Sequence, residues 1–87
     1  MRIYSNEMVK FSLKVNSTSA VPLYLQVKKL MKKCILDERF EKGGRLPPIR
    51  RLSKESLLAP VTIEKAYRLL EKDGYVMRKK GDGYFVL

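Results

Sequence analysis

The side chains best equipped for chemistry in this sequence are cationic. Nineteen lysines and arginines stand against nine aspartates and glutamates, a formal net charge of +10 at pH 7. Arg45, Arg50 and Arg51 lie close together, Lys65 and Arg68 follow, and Arg78, Lys79 and Lys80 run consecutively into Gly81. Clusters of ammonium and guanidinium groups bind polyanions, and on charge alone DNA, RNA and an anionic membrane surface all remain open. Catalysis, by contrast, lacks its usual parts. There is no histidine and a single cysteine, Cys34, which excludes Ser–His and Cys–His nucleophile pairs, His/Cys metal centres and an internal disulfide. The nine carboxylates show no paired arrangement suited to acid–base work. No catalytic residue, metal or cofactor is expected, and the chain reads as a non-enzyme.

The charge is not confined to a tail. Residues 28–80 hold sixteen basic and seven acidic side chains, within the most strongly patterned part of the chain. A chain of 87 residues that is 45% hydrophobic can build one compact core and no more. Groove binding by a folded domain fits this distribution better than a disordered basic arm. The competing explanation is a helical protein with solvated lysine faces. No apolar run approaches the roughly 18–20 residues that span a bilayer, and no secretory signal is visible. The expected location is therefore cytoplasmic, with no membrane partner.

Periodicity supplies the elements that must position these cations. Val9, Phe11, Leu13 and Val15 alternate with Lys10, Ser12 and Lys14, the period of a half-buried strand over residues 9–15. Asn16–Ser19 is turn-like, so residues 1–20 form an N-terminal segment and residues 21–87 the domain proper. A first helix is expected from about Pro22 to Arg39, its apolar stripe running through Leu23, Val27, Leu30, Met31, Cys34 and Ile35. Lys28, Lys29, Lys32 and Lys33 fall mostly off that stripe, as a solvated face rather than a phosphate-contacting row. Gly43-Gly44 breaks the pattern. A second helix is expected over about Ile49–Ser56 and a third from Pro60 or Val61 to Lys72, with Pro60 at its first position and Gly74 just past its end. Ile63, Ala66, Leu69 and Leu70 form its inner side. Tyr75–Lys79 and Tyr84–Leu87 read as a hairpin turning at Gly81-Asp82-Gly83.

Two short helices joined by a tight turn and followed by a basic hairpin are the parts of a winged helix-turn-helix, an α+β fold of three helices with a C-terminal wing. The second helix of the pair is narrow enough to enter a major groove, and a hairpin tip carrying Arg78-Lys79-Lys80 suits an adjacent backbone. An extra N-terminal strand would complete the architecture.

Six segments in order give a resemblance as well: Pro22–Val27, Gly44–Leu52, Thr62–Tyr67, Leu70-Glu71, Gly74–Val76 and Gly81–Val86. Together they resemble the gluconate-repressor (GntR) family over about residues 21–87. The resemblance implies a bacterial winged-helix transcription regulator, with repression the expected mode, that binds operator double-stranded DNA, often as a homodimer on a palindromic site. It carries a DNA-contacting role to Arg50 at the start of the second helix, to Thr62 early in the recognition helix, and to Lys80 and Gly81 at the wing tip. Arg45, Arg51, Val61, Glu64, Lys65, Arg68, Arg78 and Lys79 complete the expected interface. Four positions depart from the family pattern. Ala59-Pro60 stand where Ser-Arg is usual, removing a helix cap and a frequent DNA-contacting arginine. Glu64 stands where some relatives carry arginine, and could accept from a cytosine amino group. Leu57 replaces the usual turn glycine.

For single residues a plainer role competes: an Arg50–Glu55 ion pair, a capping or packing hydroxyl at Thr62, a core or interface ring at Tyr67. Family members typically carry a further C-terminal domain, and no small-molecule effector site is expected within these 87 residues. Dimerisation, if it occurs, would use the 9–15 strand or the first helix. Two other functions fit the same sequence: a protein-interaction module on this scaffold, and DNA-bound control of plasmid or phage replication.

Overall fold

The computed structural model describes residues 14–87. Of the expected strand over 9–15, residues 9–13 lie outside the described residues, and Lys14 and Val15 are in coil, with Val15 packed on the core. The elements run α1 (Leu23–Leu36), α2 (Ile49–Ser56), α3 (Pro60–Lys72), β1 (Val76–Lys79) and β2 (Gly83–Val86).

Local chemistry sets each boundary. Pro22 stands one residue before α1 rather than inside it. The segment ahead of the helix is tied down by Gln26: its amide donates to the Asn16 and Val21 carbonyls, and its oxygen accepts the Asn16 N–H. The helix then closes three residues short of the expected Arg39. Glu38 adopts φ 59°, its N–H donates to the Ile35 carbonyl and the Arg39 N–H to the Cys34 carbonyl. That left-handed closure turns the chain so that Phe40 can bury itself in the core. Periodicity alone runs past this point because Asp37, Glu38 and Arg39 are all acceptable helix residues. At the end of α3 the same closure is built on Gly74 (φ 88°), with Gly74 and Tyr75 N–H groups donating to Glu71 and Leu70.

One core serves all the elements. Val27, Met31 and Cys34 of α1, Leu52 of α2, and Ile63, Ala66, Tyr67 and Leu70 of α3 meet Val76, Tyr84 and Val86 of the hairpin. Each fully buried aliphatic side chain contributes about 1.5–3 kcal/mol. Leu69 is only half-buried, and Tyr67 takes the inner position instead. The Tyr67 hydroxyl donates to the Pro47 carbonyl at 2.8 Å, and its ring meets Tyr84 edge-on at 5.3 Å. Burial raises its ionisation far above the ordinary tyrosine value, so it remains a neutral donor. Tyr67 is thus a core residue that ties α3 to the start of α2.

The hairpin is antiparallel, with Val76 opposite Val86 and Lys79 opposite Gly83. Its strands are shifted from the expected ones: β1 begins at Val76 rather than Tyr75, and β2 runs Gly83–Val86 rather than Tyr84–Leu87. The free edge of β2 is covered by the chain between α1 and α2. Gly43 donates to Val86, Val86 to Gly44 and Leu46 to Tyr84, each at 2.8 Å, and Arg45 stands opposite Phe85. A β-carbon on Gly44 would lie 2.8 Å from the Glu41 carbonyl oxygen, which explains the glycine there.

Candidate nucleic-acid interface

The α2–α3 turn positions the centre of the site, and it does so without glycine. Leu57 holds the left-handed conformation itself (φ 62°, ψ 23°), and its side chain is 90% exposed. Two serine hydroxyls fasten the turn: Ser53 donates to the Leu58 carbonyl, while Ser56 donates to Leu52 and accepts the Leu58 N–H. Helix α3 then starts on Ala59 with no side-chain cap and Pro60 in its first turn. The Thr62 hydroxyl neither caps the helix nor finds another partner among the described residues.

With Ile63, Ala66, Tyr67 and Leu70 facing inward, the 3.6-residue period turns Val61, Glu64, Lys65, Arg68 and Lys72 outward, and all five are exposed. The charges on this face are partly engaged. The Lys65 ammonium sits 4.0 Å above the Tyr24 ring of α1, so it points back into the scaffold. Arg68 and Glu64 approach only to 3.8 Å, an exposed contact of little energy.

On α2, Arg51 rather than Arg50 pairs with Glu55, at 3.0 Å. This overturns the expected competing Arg50–Glu55 pair. Arg50 is exposed and makes no ion pair or hydrogen bond among the described residues. One turn on, Lys54 is also exposed and unpartnered. Sequence reasoning missed Lys54, although its i, i+4 spacing from Arg50 was a usable signal.

The wing supplies the third part. Gly81 (φ 85°) turns the hairpin, with Lys80 exposed beside it. The Lys79 ammonium lies 4.6 Å from the Phe85 ring centre, and the Arg78 backbone N–H donates to Glu71 while its guanidinium makes no ion pair among the described residues. Gly83 leaves room for Arg45 to cross it: a β-carbon there would meet the Arg45 Nε at 3.3 Å. Arg45, Glu64, Arg78, Lys79, Gly81 and Tyr84 converge on one cleft of about 240 Å³ between the start of α2, α3 and the wing. Tyr84 is held protonated, its ionisation raised chiefly by burial. Of the expected site residues, five line this cleft, while Arg50, Arg51, Val61, Thr62, Lys65, Arg68 and Lys80 stand outside it.

Elsewhere, a shallow groove of about 460 Å³ lies between the end of α1 and the last residues, lined by Ile35, Leu36, Phe40, Tyr75 and Leu87 among others. Among the described residues no cluster of three or more His, Cys, Asp or Glu suits a metal, and no helix is long and apolar enough to cross a membrane.

The sequence pattern of bacterial regulatory proteins of the gntR family matches residues 23–86, which spans all three helices and the wing. The chain belongs to the gntR family. Within it, the chain is 37% identical over 70 residues to the HTH-type transcriptional regulator Rv0792c of Mycobacterium tuberculosis, covering 80% of this chain and 26% of that one. It is 30% identical over 74 residues to the HTH-type transcriptional repressor YtrA of Bacillus subtilis, covering 85% and 57%. The chain thus spans about a quarter of the first relative and just over half of the second. In three dimensions it is similar to AraR(DBD) in complex with operator ORE1, with TM-score 0.75, 26% identity, and coverage of 88% of this chain and 94% of that one. The gntR winged-helix DNA-binding domain is therefore present here.

Proposed function

We propose that this gntR-family domain binds operator DNA sequence-specifically through α3 and the wing, and represses transcription by occupying the operator, without chemistry of its own. The observation that carries the reading is the distribution of free charge. Arg50 and Lys54 on α2 and Arg78 and Lys80 on the wing are exposed and unpaired among the described residues, on the elements that flank α3. Cations left without an internal partner beside a narrow exposed helix are what phosphates need, and backbone contacts of this kind set register for the base-reading helix. The similarity to a domain solved on its operator supports the same docking, and the similarity to a repressor supports the same mode.

In this reading Arg50, Lys54, Arg78, Lys80 and the Gly81 backbone hold phosphates. Thr62, whose hydroxyl is unoccupied, donates to another. Glu64 and Arg68 face base edges. Arg45 and Lys79 line the cleft beside the wing, whereas Arg51 and Lys65 support the interface through Glu55 and Tyr24. The protein acts in the cytoplasm, where its DNA is, and binds as a homodimer on a two-fold site.

Binding measured by fluorescence anisotropy across a salt series tests this directly. Neutralising six to eight phosphates gives a log–log slope of about −5 to −7. Arg50→Ala should weaken binding by about 1–3 kcal/mol if it reads a base, and by a uniform, salt-screened amount if it holds a phosphate. A shallow slope together with unchanged Arg50→Ala affinity would favour the protein-interaction module instead. Selection of bound duplexes from random DNA tests half-site symmetry in the same experiment.

A further inference from the structure

Leu57-Leu58-Ala59-Pro60-Val61 is a run of five side chains with no hydrogen-bond donor or acceptor. It forms the turn into α3 and that helix's first turn, and all but Leu58 are exposed, the large side chains Leu57 and Val61 at 90% and 67%. Neither belongs to the core or packs against it. Each is also a poor choice for the isolated chain. Leu57 holds a left-handed conformation that glycine would adopt without strain. Val61 is β-branched on an exposed helical position, where straight-chain residues are better helix formers. A left-handed leucine and an exposed valine within one short apolar run, beside the helix read as DNA-contacting, point to a contact made outside the fold. The patch has a mixed but mainly cationic border: Arg50 and Lys54 precede Leu57 on α2, and Glu64 and Arg68 follow Val61 on the outward face of α3. That border suits a polyanion with an apolar feature between its charges.

We infer that Val61 and Leu57 read thymine through its C5-methyl group, an inference that rests on the DNA-binding reading above. The major groove presents donors, acceptors and one apolar group, the thymine methyl. Side chains without donors or acceptors can distinguish base pairs there only through that methyl. The first turn of α3 therefore selects thymine by apolar contact, and hydrogen-bonded readout falls to residues farther along the helix, such as Glu64 and Arg68. The replacement of Ser-Arg by Ala59-Pro60 is then a change in what is read rather than a loss of reading.

The test uses the full chain and a duplex selected from random DNA. Each thymidine of the bound site is replaced singly by deoxyuridine, which keeps the pairing and removes only the methyl. Affinity at fixed salt should fall about fourfold at one or two positions, the effect of exposing one methyl-sized group. The loss should vanish in Val61→Ala at one position and in Leu57→Gly at another; both side chains are exposed, and circular dichroism checks that the variants fold. If every deoxyuridine is tolerated, or the selected site lacks thymine, while Arg50→Ala still weakens binding, the methyl readout is overturned and DNA binding stands. If no duplex is enriched and the salt response is flat, both readings fall together.

Discussion

Lys28, Lys32 and Lys33 of α1 and four of the basic residues of α2 and the wing meet different fates in the same fold. On α1, Lys28 bonds Asp73 at 2.7 Å, Lys33 bonds Asp37 at 3.0 Å, and Lys32 lies 5.2 Å from the Tyr75 ring centre. On the other side, Arg50, Lys54, Arg78 and Lys80 have no such partners among the described residues. The backbone differs between the two ends of α3 as well. The α3 closure uses Gly74 at its left-handed position, whereas the turn into α3 places Leu57 there. Three of the α1 lysines are engaged by groups of the fold, whereas these four cations have no partner among the described residues. Backbone strain does not divide the molecule in the same way, since a left-handed residue other than glycine occurs at Glu38 as well as at Leu57. Charge counting alone cannot separate the two, because both regions are rich in lysine and arginine.

Neutralising charges on the two sides is the strongest way to break this comparison. Arg78→Ala combined with Lys80→Ala should lower DNA affinity by roughly tenfold per charge near 0.1 M salt and flatten the salt slope by about 2. Lys29→Ala with Lys33→Ala on α1 should leave both nearly unchanged. Equal losses from the two pairs would mean that binding follows net charge rather than an assembled face.

Stability should separate the regions in the opposite direction. Tyr67→Phe strands the Pro47 carbonyl inside the protein, and a cost of about 1–3 kcal/mol is expected in urea unfolding. Gly44→Ala should destabilise by about 1–3 kcal/mol, because the new β-carbon collides with backbone and the shift reaches β2 through the Val86–Gly44 bond. Leu57→Gly, on the interface side, should instead raise stability by about 1 kcal/mol, since it relieves the left-handed leucine. A Leu57→Gly protein that is less stable would show that the exposed leucine supports the fold after all.

The smallest effect concerns pH. The hydrogen bond from Lys28 holds the Asp73 carboxyl below its ordinary range. A depressed carboxylate adds stability that is present above its unfolded value and disappears as pH falls through the folded one, here below about pH 4. Asp73→Asn should therefore lower the urea midpoint slightly at pH 7 and leave it unchanged well below pH 4.

Much of this architecture was legible without coordinates. Apolar spacing located α2 and α3 at their observed bounds, Gly74 marked the closure of α3, and Gly81 and Gly83 marked the wing. The end of α1 was not legible, because a left-handed Glu38 has no signature comparable to glycine and is selected by the burial of Phe40. The strand-like pairing of residues 43–46 with β2 was hidden too, since two glycines and a following pair of prolines read as a break. At the candidate site, the sequence singled out Arg50 and the wing cations, and the structure leaves Arg50 without an ion pair among the described residues, yet the sequence assigned Glu55 to the wrong arginine. Both Arg50 and Arg51 are within reach of Glu55 in sequence, and only the i, i+4 stagger of the folded helix favours Arg51.

The sequence by itself determined the order of the three helices and the wing and the surplus of positive charge, because these follow from local periodicity, turn chemistry and composition, and its ordered motifs carried the family resemblance. Which cations are open to an outside partner was decided only by the tertiary structure. Ion pairs and ring contacts between α1 and α3, and between α1 and the start of β1, depend on groups far apart in the chain that meet only when the shared core forms. Packing brings Asp73 to Lys28 and Tyr24 to Lys65, and among the described residues it brings no ion-pair partner to Arg50.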